Sequence, residues 1–162
     1  MKSFFKFIII LFVCFYRVIF ICDEIYSYDR EVDVYYDDFL ILEIPQIDFV
    51  REIYYEDSDI NDVDFNVILL RESDVKRNLF LFAGHSGYGD NAFFNDLVLL
   101  NIGDIIYVDK YSDRLLYEIK DIYLVFKTGN IDVMLEDNLL YLVTCSLVYQ
   151  GMQLVIVAKL IV

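Results

Sequence analysis

The sequence predicts a mostly β fold: a small closed β-barrel of about seven or eight strands with one or two short helices, preceded by an N-terminal membrane helix. Three observations predict it. Apolar runs of strand length recur along the chain between Gly, Asn and Asp turn signals, and helical spacing is confined to one short stretch. Hydrophobic residues make up 58% of the 162, ample for one core of the size a small barrel needs. The opening segment is of a different composition, a basic lead followed by an almost wholly apolar run.

That opening segment spans residues 1–22. Lys2 and Lys6 precede the run Phe7 to Cys22, which only Arg17 interrupts. Counted from Phe4 the stretch approaches the roughly twenty residues of a membrane span. No small-x-small cleavage pattern follows, so a retained signal-anchor is expected, with the membrane crossed by residues 4–22. The two lysines would keep the N-terminus in the cytoplasm and place the rest outside. Cys22 is a poor acylation site because the bulky Ile21 precedes it.

Residues 23–38 are acidic and tyrosine-rich and are read as a linker. The domain proper, 39–162, opens with a strand at Phe39–Ile44 that Pro45 stops, since proline lacks the donor a ladder needs. Val50 to Asn66 mixes polarities and reads as a loop with at most one helical turn. Leu79–Ala83 is a continuous apolar run, hence a strand buried on both faces. Phe93, Phe94 and Leu97 share helical spacing and predict a short helix packed on the barrel. Gly103-Asp104 turns into a strand at Ile105–Asp109, and Leu115 to Phe126 predicts a long strand with one bend. After a turn at Thr128-Gly129-Asn130 come two last strands, Leu139–Cys145 and Gln153–Leu160, around a loop at 146–151.

The net charge of −14 argues against nucleic acid as a partner, because a phosphate backbone selects basic patches. One histidine and one domain cysteine cannot close a zinc site, and no acidic spacing marks a calcium loop, so neither metal nor cofactor is expected. Gly84, Gly87 and Gly89 lack the lysine and long helix of a phosphate-cradling loop.

Two contexts carry chemistry. His85 follows the apolar run ending at Ala83-Gly84, and Cys145 ends the run Leu139 to Thr144. A thiol with the ordinary pKa of about 8.5 is only a few per cent thiolate at pH 7, so a nucleophilic cysteine needs a partner for its proton. Histidine is the usual one, and the chain has a single candidate. Residues distant in sequence can meet in a small β fold.

The set Ala83-Gly84-His85-Ser86, the aromatic stretch Asn91 to Leu97, Leu100-Asn101-Ile102-Gly103-Asp104 and Tyr141-Leu142-Val143-Thr144-Cys145 resembles the sortases, the cysteine transpeptidases of bacterial cell surfaces. The closing strand Leu154 to Leu160 fits as well, and the resemblance spans Phe39 to Val162. It implies a sortase-like barrel, with Cys145 as nucleophile and His85 as general acid and base. Thr144 and Ser86 would lie beside the bound peptide. For Thr144 strand packing is the alternative reading, and Ser86 is read as a loop residue rather than a nucleophile.

One position departs from the family pattern. Gln153 stands where the family carries an arginine that steadies the oxyanion. An amide can donate there, but charge-assisted bonds are roughly twice as strong as neutral ones. Either Gln153 serves as the third catalytic residue, or one of Arg51, Arg71, Arg77 and Arg114 reaches the site, or turnover is weak. The resemblance implies secreted proteins with a C-terminal sorting signal as substrates and an amine of the cell wall or a pilin lysine as acceptor. The enzyme would sit in the bacterial plasma membrane by a single pass, its domain outside. The alternative is a sortase-fold peptide-binding protein with little or no catalysis.

Overall fold

The computed structural model describes residues 39–128 and 133–161. The expected membrane segment 1–22 and linker 23–38 lie outside the described residues. Among the described residues no helix is long and apolar enough to cross a membrane.

Eight strands make one sheet: β1 (Phe39–Ile44), β2 (Phe49–Tyr54), β3 (Ile68–Leu69), β4 (Phe80–Ala83), β5 (Ile105–Lys110), β6 (Asp113–Phe126), β7 (Leu139–Cys145) and β8 (Met152–Leu160). Their spatial order is β2-β1-β5-β6-β8-β7-β4-β3. Neighbours are antiparallel except β4 and β7, which run parallel. The two ends of the sheet approach each other where Asn66 Nδ2, just before β3, donates to Glu52 O of β2 at 2.6 Å. The barrel is therefore nearly closed.

The interior is filled by alternate residues of each strand, among them Leu40 and Leu42, Phe80 and Phe82, Ile106 and Val108, Leu140 and Leu142, and Ile156 and Ala158. Each leucine, isoleucine or phenylalanine so buried contributes about 1.5–3 kcal/mol over its exposed state. The intervening residues of β7, Leu139, Tyr141 and Val143, join Leu79, Leu81 and Val155 in a second apolar cluster on the opposite face of the sheet. Burial on both faces is why β7 and β4 read as unbroken apolar runs. Over this second face runs the chain entering β7. Tyr141 Oη donates to Met134 O at 3.1 Å, and Arg77 holds both Leu135 O and the Asp137 carboxylate.

β6 carries the expected bend as a bulge between Ile119 and Asp121. Pro45 ends β1 and starts a 3-10 turn, Pro45–Ile47. Two expectations need correction. The segment read as a loop from Val50 begins with most of β2, paired along its whole length with β1. Its alternation is masked in sequence because Arg51 occupies an inward position between Phe49 and Ile53, where its guanidinium lies 3.6 Å over the Phe93 ring. The aromatic helix is a 3-10 helix, Asn95–Leu99, starting after Phe94 rather than at Asn91. Phe94 and Leu97 are wholly buried, and Phe93 packs partly buried against the core with Arg51 over its ring.

Candidate active site

β4 and β7 deliver His85 and Cys145, the two residues expected to react, to one end of the sheet. Their parallel register pairs Ala83 with Val143, and the ladder continues as Gly84 N donates to Val143 O at 3.2 Å. His85 and Cys145 each stand two residues beyond that pair, so a parallel pairing carries two chain-distant residues out at the same end. Cys145 is a free, half-buried thiol.

Gly84 sits where a side chain has no room. A Cβ there would come within 2.9 Å of Phe94 Cδ2 and 3.0 Å of Val67 Cγ2, both on wholly or nearly wholly buried side chains. On the interior face, Thr144 Oγ1 donates to Gly84 O at 2.8 Å. Thr144 therefore faces away from Cys145 and is 4% exposed, packed within the strand layer. The loop after β4 is fastened at three further points. Phe94 N donates to His85 O at 2.9 Å. Asn95 accepts from Gly87 N at 2.7 Å and donates to Gly87 O at 3.1 Å. Ser86 Oγ donates to Cys145 O at 2.5 Å, so its hydroxyl ties the histidine loop to the cysteine backbone. Gly87 holds φ 121°, a conformation that other residues adopt only with strain.

The His85 ring is part-exposed, and its Nε2 lies 3.4 Å from Asp64 Oδ1. Among the described residues no hydrogen bond joins the ring to the thiol. Asp64 went unread in the sequence, where it is one acid among many between β2 and β3.

β8 completes the site. Its register pairs Gln153 with Cys145, so the two side chains share the sheet face that carries the second apolar cluster. Gln153 Oε1 is buried and meets no hydrogen-bond partner among the described residues. Each of the four arginines considered for the oxyanion is engaged elsewhere. Arg51 covers Phe93, Arg71 pairs with Glu56 at 2.8 Å and Arg77 pairs with Asp137 at 2.6 Å. Arg114 is held by Glu43 and Asp109 and lies over the Tyr107 ring. A different cation is near the thiol: Lys127 Nζ lies 3.4 Å from Cys145 Sγ. Nothing in the sequence marks Lys127, because its proximity depends on the order β6-β8-β7. Among the described residues no group of three or more His, Cys, Asp or Glu side chains is placed to hold a metal ion.

A model of the Sortase domain matches residues 42–161. Among solved structures, the chain is similar to sortase C of Streptococcus pneumoniae, at 22% identity over 78% of this chain and 70% of that one, with a TM-score of 0.66. It is similar to sortase A of Corynebacterium diphtheriae, at 21% identity over 77% of this chain and 61% of that one, TM-score 0.65. A sortase D transpeptidase of Clostridium perfringens gives 22% identity over 78% and 80%, TM-score 0.63. At such identities the structural likeness concerns the fold. A comparison with curated proteins gave no significant match.

Proposed function

Because the chain belongs to the sortase family, we propose that it is a cysteine transpeptidase in which Cys145 and His85 carry the reaction. The observation that supports this most is the emergence of both residues, from neighbouring parallel strands, at one end of the sheet. The Cys145 thiolate attacks the carbonyl carbon of a sorting motif, and His85 protonates the departing amine as the thioester forms. An incoming amine then gives its proton to His85 and takes the acyl group, which frees Cys145.

The substrates in this reading are secreted proteins with a C-terminal sorting signal, and the acceptor is an amine of a cell-wall precursor or a pilin lysine. The sortase C of Streptococcus pneumoniae is described in terms of pilin substrate specificity. Residues 4–22 would anchor the enzyme in the plasma membrane with the barrel outside, consistent with the basic lead and the apolar run.

A second reading has one observation in its favour: the amide of Gln153, directly across from Cys145, brings no charge. The chain would then bind sorting peptides without turning them over. Mass spectrometry of the protein incubated with sorting-signal peptides separates the two. Transpeptidation requires a thioester on Cys145 that is absent in Cys145→Ala, and resolution of that thioester by an added amine. Peptide binding with no covalent adduct on the unaltered chain would leave the binding protein.

A further inference from the structure

The site holds a positive charge that the family pattern does not locate. Lys127 directly follows β6, and its N–H donates to the O of Gly151, just before β8, at 2.8 Å. The register Val125 with Gln153, and Gln153 with Cys145, puts Lys127 on the face that carries the thiol. Gly151, bonded to Lys127 through the backbone, has no side chain. β8 lies between β6 and β7, two strand spacings of about 4.8 Å, and the Lys127 side chain brings Nζ to 3.4 Å from Sγ. Among the described residues no carboxylate pairs with this ammonium, in a chain whose net charge is −14.

We propose that Lys127 is the catalytic cation of the site, donating to the oxyanion where Gln153 stands in place of arginine. This rests on the transpeptidase reading. In the step, the Sγ lone pair forms the bond to the carbonyl carbon and the C=O π pair moves onto oxygen. That oxygen is two bonds from Sγ, so a donor already 3.4 Å from Sγ comes within the roughly 2.7–3.1 Å of an oxyanion donor by side-chain rotation. The oxygen pair then re-forms C=O as the C–N bond breaks, and the amine takes its proton from His85. Lys127 keeps its protons throughout. An ammonium is a point charge without the guanidinium fork, so it supplies charge and single rather than paired donation to the oxyanion.

The test uses the full-length protein in detergent and the variants Lys127→Met, Lys127→Arg and Lys127→Met with Gln153→Arg. Two measurements apply to each. One is the ratio of Cys145 modification rates by methanethiosulfonates bearing a sulfonate and a trimethylammonium group, read by peptide mass spectrometry. Both reagents see the same thiolate, so the ratio reports local charge alone. The other is the burst of acylation by p-nitrophenyl acetate, whose leaving group needs no proton from His85. Lys127→Met should lower the ratio several-fold and slow acylation about ten- to a hundredfold, less than or up to the cost of an oxyanion donor elsewhere. Lys127→Arg and the double variant should recover both. Wild-type acylation in a folded Lys127→Met overturns the proposal, whether or not the ratio moves. Lys127-dependent acylation by the ester in a protein that forms no thioester with sorting-signal peptides upholds this charge and retires the transpeptidase reading instead.

Discussion

Thr144 and Gly84, the residues that immediately precede the cysteine and the histidine, are bonded to each other through the interior of the barrel, Oγ1 to O at 2.8 Å. The two reactive residues are thus held in relation by their neighbours, on the face away from solvent. Charge and hydrogen bonding on the outer face can vary without disturbing that brace.

Gly84→Ala tests the brace. The added methyl meets Phe94 and Val67, neither of which has space to withdraw. Overpacking of this kind costs about 1–3 kcal/mol. Acylation should fall as His85 is displaced, while alkylation of Cys145 by a small reagent persists. Denaturant unfolding measured beside both rates checks the separation.

His85→Ala should reduce transpeptidation by at least about a hundredfold, the usual contribution of a general acid–base group. Asp64→Ala should cost only about two- to fivefold, because that pair is solvent-exposed and screened. Raising the salt concentration should shrink the Asp64 effect and leave the His85 effect intact. Single-turnover and steady-state rates at low and high salt decide both.

Gln153 and Lys127 flank the same thiol and should not act independently. Gln153→Arg should raise ester acylation by less than about threefold in the unaltered chain. In the Lys127→Met background it should raise it by more than about tenfold. Additivity of the two substitutions, measured as a double-mutant cycle, would mean they serve different atoms.

Burial raises the Tyr117, Tyr123 and Tyr141 hydroxyls above their ordinary value. Their folded-state values exceed the unfolded one, so the stability they confer is complete below pH about 10 and is lost as pH rises through the folded values. Tyr117 Oη donates to Asn78 O at 2.8 Å. Tyr117→Phe should therefore cost about 1 kcal/mol at neutral pH and lose less stability above pH 10 than the parent. Unfolding free energies at pH 7 and at about pH 11 supply the comparison.

Much of the barrel was legible because its central strands are buried on both faces, as at Leu79–Ala83 and Leu139–Cys145, and nothing but a strand suits such runs at that length. β2 was not, because an arginine stacked on a phenylalanine occupies an inward position that composition assigns to solvent. His85, Cys145, Gln153 and Thr144 were singled out by their local contexts, and the register brings the first three to one end of the sheet while the Thr144 hydroxyl points inward. Asp64 and Lys127 enter the site through pairings between segments far apart in the chain. Composition carries no trace of which strand lies beside which, so the proximity of Lys127 to Cys145 has no local signature.

The parallel pairing of β4 with β7 also bears on when the thiol becomes dangerous to its surroundings. Each also has an antiparallel partner, β3 for β4 and β8 for β7, but their pairing with each other closes a loop of about sixty residues. Contacts of such separation lose much chain entropy before they return any energy, and they form slowly. A nascent or partly collapsed chain would carry Cys145 with neither His85 nor Lys127 beside it. In the proposed reaction, acyl transfer is thereby coupled to completion of the fold.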